Sequence, residues 1–122
     1  MAPLDLRFRV LVCGGRDFND YGFLVGEMNR LNHERGPFHV IIHGNARGAD
    51  FMASLWAKNN KITQWPVPAE WSKYGRGAGP RRNKKMLGMS PRLVIAFPGG
   101  KGTRNMMKLA RSAGVEVIEV RP

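Results

Sequence analysis

The sequence contains only one cysteine, Cys13, among its 122 residues. A lone thiol excludes an intrachain disulfide and suits a reducing compartment. The N-terminus, MAPLDLRFRV, lacks the apolar run and the small-residue cleavage site of a signal peptide. No apolar run approaches the ~20 residues that a membrane-spanning helix requires. These absences exclude the secreted disulfide-rich and membrane-spanning classes, and they predict a cytoplasmic protein with no membrane partner.

Acidic residues are missing from a long part of the sequence. No Asp or Glu lies between Glu70 and Glu116, whereas residues 71–115 contain eleven Lys and Arg. The rest of the chain has nine residues of each sign, so the entire net charge of +11 arises in this basic segment. A localised excess of positive charge is typical of a site for phosphate, either in a nucleotide or in nucleic acid.

Short apolar runs alternate with stretches of helical periodicity along the whole chain. Strands are predicted at residues 8–13, 38–43, 62–67, 93–97 and 115–120. Strand–helix alternation gives right-handed crossovers and a parallel sheet with helices on both faces. The sequence therefore predicts one domain over residues 1–122 with an α/β fold. We expect a Rossmann-like three-layer sandwich with a five-stranded, mainly parallel sheet, its first and fourth strands adjacent.

Three of the predicted strands end in glycine-rich turns that lead into helices. Glycine lets the backbone approach a ligand closely, and a helix N-terminus offers free N–H groups to an anion. The alternative is that these are simply tight strand-to-helix turns. Because the carboxyl ends of parallel strands meet at one edge, we expect a single ligand-binding rim. The turn residues predicted to contact the ligand are Gly14, Gly15, Arg16, Asp17, His43, Gly44, Asn45, Gly48, Asp50, Pro98, Gly99, Gly100, Lys101, Gly102 and Thr103.

Between the third strand and the following helix, residues 66–79 form a long stretch without a periodic pattern. Structureless loops of this length in compact domains are usually functional. Its aromatic residues, Trp71 and Tyr74, can either stack on a base or attach the loop to the domain. Tyr74, which lies among glycines and beside Arg76, is the better stacking candidate. Asn83, like Asn45 in the second turn, is a candidate for hydrogen bonds to a ribose or a base edge.

The common nucleotide and metal motifs are absent. GxGxxG does not follow the first strand, and Gly102 separates Lys101 from Thr103 where a P-loop requires Gly-Lys-Ser/Thr. His39 and His43 share one side of a strand but lie ~13 Å apart at ~3.3 Å per residue, too far to share an ion. These patterns exclude an ordinary NAD enzyme and a P-loop NTPase, and we expect neither a metal nor a cofactor.

Four segments in this order, CGGRDF, HGNARGAD, AGPRRNKKM and IAFPGGKGTRNM, resemble the SLOG superfamily. That superfamily includes the lonely-guy nucleotide phosphoribohydrolases and the DNA-processing protein DprA. The resemblance covers residues 10–120 and is greatest to the small branch related to YspA and YpsA. It implies a Rossmann-like sheet with a nucleotide or nucleotide-derived ligand at the rim, and a homodimer or higher homo-oligomer. Four methionines offer adaptable apolar contacts for such a dimer or belong to the core: Met86, Met89, Met106 and Met107.

The same resemblance bears on catalysis. In the phosphoribohydrolases, acidic residues follow the PGGxGT turn, a nearby glutamate assists N-glycosidic bond cleavage, and an arginine on the preceding helix holds the phosphate. Here Arg82 is at the position of that arginine, but Thr103 is followed by Arg104-Asn105-Met106-Met107, without a carboxylate. The resemblance thus implies a site that holds phosphate but lacks the carboxylate, unless Asp17 or Asp50 supplies one. Asp50 can equally cap a helix.

Three functions remain open at this point. The first is a non-catalytic binder of a nucleoside phosphate, a cyclic nucleotide or an ADP-ribose-like signal, acting as a sensor or sequestering protein in phage–bacterium conflict. The second is a nucleoside monophosphate phosphoribohydrolase, and the third is a DprA-like binder of single-stranded DNA. The missing carboxylate favours the first over the second. The third ranks last because the sequence shows no additional domains of the kind a DNA-processing protein usually has.

Overall fold

A computed structural model describes residues 6–122, and all five predicted strands are present in it. The strands are β1 (Arg9–Cys13), β2 (Val40–His43), β3 (Thr63–Pro66), β4 (Leu93–Ala96) and β5 (Glu116–Glu119). The helices are α1 (Tyr21–Arg35), α2 (Ala49–Asn59), α3 (Trp71–Tyr74), α4 (Ala78–Leu87) and α5 (Lys101–Ser112), and a short 3-10 helix (Gly75–Gly77) follows α3. Within this described range, no helix is long and apolar enough to cross a membrane.

The sheet is parallel throughout, with the strand order β3-β2-β1-β4-β5. Val12 of β1 pairs with Ile95 of β4, which confirms the predicted adjacency of the first and fourth strands. The order reverses between these two strands, because β2 and β3 lie to one side and β5 to the other. In open α/β sheets, this reversal opens a crevice at the carboxyl ends of the strands. The predicted Rossmann-like α/β fold is confirmed.

Hydrophobic side chains pack on both faces of the sheet, as expected for the nearly continuous apolar strands β1, β2 and β4 at its centre. Alternate residues of β1 point to opposite faces, so Val10 and Val12 pack with α1 and α2 while Leu11 packs with α4 and α5. On α2 the buried side chains include three alanines and Trp56, whereas Met52 and Leu55 are only partly buried. The helices therefore form two outer layers around the sheet.

The methionines of α4 and α5 belong to the core. Met86, Met106 and Met107 are buried beneath the sheet, and the partly buried Met89 packs against the same cluster. Their flexible thioethers fill the space between the sheet and the two helices. These methionines therefore do not form a contact surface for a second protomer. The homodimer stays a prediction, and it rests on the family resemblance alone.

Residues 66–79 are more regular than the sequence indicates. The segment contains α3 and the 3-10 helix, which join directly onto α4. The first turn of α3 is closed by the N–H groups of Lys73 and Tyr74, which donate to the carbonyl of Glu70 at 3.0 Å. The expectation of a structureless loop was wrong because both helices are shorter than the window over which periodicity can be recognised.

Candidate functional site

A cleft of about 880 Å³ opens where the carboxyl ends of β1 and β4 meet. Its walls are the turn after β1, the turn after β4 and the start of α4. Thirteen of the predicted site residues line it: Gly14, Gly15, Arg16, Asp17, Asp50, Arg82, Asn83, Pro98, Gly99, Gly100, Lys101, Gly102 and Thr103. The structure thus brings two of the three glycine-rich turns around one cavity, and α4 adds Arg82 to it.

Backbone hydrogen bonds through Gly15 join the three turns of the rim. The Gly15 N–H donates to the carbonyl of Pro98 at 2.8 Å, and the carbonyl of Gly15 accepts from the Ala49 N–H at 3.1 Å. Gly99 lies so close to these atoms that a Cβ there would overlap the Thr103 hydroxyl and come within 2.7 Å of the Gly15 nitrogen. Glycine is therefore required where the first and third turns approach each other.

Helix α5 begins at the cleft with Lys101, and no side chain caps its N-terminus. The first N–H groups of a helix have no partner within the helix, and the helix dipole places partial positive charge beside them. Gly102 and Thr103 of this first turn line the cleft. This end of the cleft is therefore suited to an anion.

Arg82 presents a half-buried positive charge to the same cleft. Its Nη1 donates to the carbonyl of Gly44 at 2.7 Å, and its Nε donates to Asn83 Oδ1 at 3.1 Å. Burial lowers the pKa of the Arg82 guanidinium, while the nearby Asp50 charge acts in the opposite direction. In the described part of the chain, Arg82 forms no ion pair with a carboxylate. A fixed guanidinium without a direct ion pair can bind phosphate through its remaining N–H groups.

Asn83 is buried and joins α4 to α5 through hydrogen bonds. Its Nδ2 donates both to the carbonyl of Gly102 at 3.2 Å and to Asn105 Oδ1 at 2.9 Å. Both amide hydrogens are thereby used within the protein, and Oδ1 accepts from Arg82. The side chain thus positions Arg82 and the start of α5, and the predicted contact of Asn83 with a ribose or base stays a prediction.

The two aspartates differ in their surroundings. Asp17 lies at the edge of the cleft, with 95% of its side chain exposed, and pairs with Arg47 at 3.2 Å. Asp50 is buried, and its Oδ2 accepts from the Ala46 N–H at 3.3 Å. Burial raises the pKa of Asp50, against the effects of the Ala46 N–H and the positive charge of Arg82, which lower it. Asp50 thus organises the turn after β2 from the first turn of α2, and it also faces the cleft.

Replacement of Asp50 by asparagine tests this burial. A raised folded-state pKa means that stabilisation by the neutral carboxyl is present at low pH and is lost as pH rises through that pKa. Because asparagine is neutral and keeps an oxygen for the Ala46 N–H, we expect D50N to be more stable than the unchanged protein at pH 7. The difference should shrink towards about pH 4. Urea unfolding between pH 4 and pH 7 measures this difference in the free energy of unfolding. Lower stability of D50N at pH 7 would show that the attraction between Asp50 and Arg82 outweighs the cost of burying the Asp50 charge.

Trp71, rather than Tyr74, lies at the cleft. The Trp71 side chain is 46% exposed, and the guanidinium of Arg16 lies 4.9 Å from its ring centroid. The ring of Tyr74 faces the cations of Arg81 and Lys73, at 4.2 and 5.1 Å, and lines neither of the two cavities at the rim. The preference for Tyr74 as the stacking residue is thus not supported by its position, because it depended on a loop that is in fact helical.

A second cavity of about 390 Å³ adjoins the cleft beside the turn after β2. Its lining includes the predicted residues Gly44 and Asn45, and it shares Arg16 and Arg82 with the cleft. His43 lines neither cavity, because its buried ring accepts from the Asn45 N–H at 3.1 Å and pairs with Gln64 at 3.0 Å.

Two other residues near the rim, Gly48 and Cys13, pack against the protein itself. Gly48 also lies outside both cavities and packs against the backbone of Gly15 and Arg16. Cys13 lies at the floor of the cleft, and burial raises the pKa of its thiol. In residues 6–122, no group of three or more His, Cys, Asp or Glu side chains is placed to hold a metal ion.

Sequence reasoning missed several residues that line the cleft. Phe18, Arg76, Pro80 and Asn105 belong to it but were not assigned to the site. Asn105 lies in the first turns of α5, two residues after Thr103. The helical periodicity of α5 could therefore have predicted that its side chain lines the cleft. Arg76 had no such signal, because its position depends on the 3-10 helix.

Comparisons with known proteins agree with this architecture. The family model of the YspA, cpYpsA-related SLOG family matches residues 8–74. The Gene 61 protein of Mycobacterium phage D29 is 35% identical over 122 residues, covering 90% of this chain and 94% of that protein. The crystal structure of DNA processing protein A (DprA) from Streptococcus pneumoniae superposes with a TM-score of 0.73 at 21% identity. The match covers 96% of this chain and 52% of DprA, so this chain spans about half of that protein. The predicted SLOG relationship is confirmed, and the chain belongs to the YspA, cpYpsA-related SLOG family.

Proposed function

We propose that this protein binds a nucleotide or nucleotide-derived compound in the cleft and releases it chemically unchanged. Membership of the SLOG family and the DprA-like fold support a nucleotide-related or DNA-processing role. The observation that carries the finer proposal is Arg82, a half-buried guanidinium that forms no direct ion pair within residues 6–122 and faces a cavity closed by the N-terminus of α5. Together these groups are suited to a phosphate.

The same geometry argues against rapid hydrolysis. Release of a purine base requires a protonated base or a stabilised oxocarbenium-like ribose, and a carboxylate serves the second purpose. On the cleft side of α5 this chain has Asn105, and the following Met106 is fully buried. The cations at the rim bind phosphate equally in the ground and transition states, which strengthens binding without accelerating the reaction. Loss of a general acid or base typically costs about 10²–10⁴-fold in rate.

A biological setting follows from the relative in a mycobacteriophage. The Gene 61 protein comes from a phage and matches nearly the whole of this chain. A small binding protein of this kind can sense or sequester a nucleotide signal during phage–bacterium conflict. This setting supports binding without turnover, because a sequestering protein has to hold its ligand rather than consume it.

The test combines calorimetry with chromatography of free base. Purified protein titrated with AMP and ADP-ribose is expected to bind, and incubation with AMP is expected to leave adenine undetected. The variant N105E, which places a carboxylate in the cleft, is the control for detection and is expected to release some adenine. If neither AMP nor ADP-ribose binds, the proposal is contradicted. Rapid release of adenine by the unchanged protein, abolished in D50N, would instead make Asp50 the missing carboxylate.

A second candidate function is binding of single-stranded DNA. Four cations recur at helical spacing along α5 and are exposed: Lys101, Arg104, Lys108 and Arg111. This row begins at the cleft and continues along a shallow groove against β5. Strand binding predicts affinity that falls steeply with salt and rises with oligonucleotide length, whereas binding of a single nucleotide in the cleft predicts a much weaker salt dependence.

A further inference from the structure

The cleft and the second cavity lie side by side, and four residues form a wall common to both. Arg16, Ala46, Trp71 and Arg82 line both cavities. Their volumes, about 880 and 390 Å³, each lie within the range of about 300–1,000 Å³ that is usual for small-ligand sites. A ligand held at the common wall can therefore extend in two directions.

Two positive charges lie together at this wall. Arg16 and Arg82 are near enough for the charge of Arg16 to act unfavourably on the Arg82 guanidinium. Neither forms an ion pair with a carboxylate in residues 6–122. An anion bound between the two guanidinium groups would relieve this repulsion, and phosphate matches their geometry.

The groups beside this wall are suited to bases. The half-exposed ring of Trp71 offers an aromatic face at the junction, with Arg16 already over it. In the second cavity, Asn45 holds a left-handed backbone conformation with φ 56°, and its N–H donates to His43. Its exposed amide side chain has no hydrogen-bond partner in the described structure, so it can donate to and accept from a base edge.

We propose that the ligand is a small dinucleotide: two nucleoside units joined through phosphate, with the joining phosphate between Arg16 and Arg82. One unit occupies the cleft and the other occupies the second cavity. This inference rests on the proposed function, since it assumes that the cleft takes a nucleotide. It adds that a mononucleotide fills only half of the site.

The test compares AMP with 5′-phosphorylated diadenylate, pApA, by calorimetry. The second unit is expected to increase affinity at least about tenfold, because it binds with no new loss of translational freedom. Ala69 lines only the second cavity, so A69F should fill that cavity, abolish the advantage of pApA and leave AMP binding unchanged. The matched variant A113F, at an exposed alanine that ends α5, should alter neither affinity.

A second variant keeps the test decisive if A69F disturbs the fold. N45G removes the exposed amide and keeps the left-handed backbone, which glycine adopts readily, and it should weaken pApA binding several-fold more than AMP binding. Equal affinity of the unchanged protein for AMP and pApA would overturn the dinucleotide while leaving the proposed function intact. If AMP, pApA and ADP-ribose all fail to bind, both the dinucleotide and the proposed function are overturned. Binding of a decadeoxyadenylate more than about tenfold tighter than pApA, with steep salt dependence, would assign the surface to a nucleic-acid strand and overturn the small dinucleotide.

Discussion

Replacement of Arg82 by alanine is expected to weaken AMP binding about 10- to 150-fold, which corresponds to the roughly 1.5–3 kcal/mol of a charge-assisted hydrogen bond. The guanidinium lies at the junction of the two cavities and has no carboxylate partner in the described chain. Its N–H groups that are not bonded to Gly44 and Asn83 can therefore donate to a ligand phosphate. Isothermal titration calorimetry of the purified variant measures the loss.

The neighbouring residue provides a matched control. Arg81 has the same charge, but its guanidinium lies over the ring of Tyr74 and lines neither cavity. R81A should therefore bind AMP nearly as well as the unchanged protein. Because R82A also loses the bond to the carbonyl of Gly44, its unfolding midpoint has to be measured beside its affinity. Equal affinities of R81A and R82A would remove Arg82 from the site.

Replacement of Gly48 by alanine is expected to lower the free energy of unfolding by about 2–4 kcal/mol. Gly48 has φ +78° and ψ −129°, a conformation that side chains disfavour strongly. An added Cβ would also overlap the carbonyl oxygen of Gly15 and lie 2.6 Å from that of Arg16. Both are backbone atoms, so no side-chain movement relieves the contact, and the turns after β1 and β2 must separate.

Gly26 serves as the control for this substitution. It lies inside α1, and a Cβ there meets no atom within 4 Å. G26A should therefore raise stability by about 0.5–1 kcal/mol, since alanine is the better helix former. Chemical denaturation of both variants gives the comparison, and calorimetry should show weakened AMP binding for G48A alone. A G48A protein as stable as G26A would mean that the rim turns are not tightly packed.

Local sequence patterns predicted the centre of the sheet well because β1, β2 and β4 are short apolar runs that are each followed by a glycine-containing turn. The adjacency of β1 and β4 could be predicted from the strand order of Rossmann-like folds, and the position of the cleft followed from that adjacency. The packing of α2 was harder to predict, since three of its buried residues are alanines, which stand out little from their neighbours.

The hydrogen bonds that arrange the side chains of the site could not be predicted from local sequence patterns. Arg82 bonds to Gly44, which is 38 residues away, and Asn83 bonds to Asn105, 22 residues away. No periodic pattern encodes such pairs, because they depend on how helices settle on the sheet. The position of Trp71 was missed for a related reason: α3 is a single turn, and the Trp71 ring lies against Gly79 of α4, a contact that no local pattern encodes.

The two backbone bonds of Gly15 have a consequence for how this rim can change over evolutionary time. They connect the turns after β1, β2 and β4 through main-chain atoms alone. Side chains such as Arg16 and Lys101 project from this frame, and their replacement leaves its bonds in place. Members of a lineage can therefore exchange the groups that select a ligand while inheriting the same rigid frame, so that new specificities arise without a new fold.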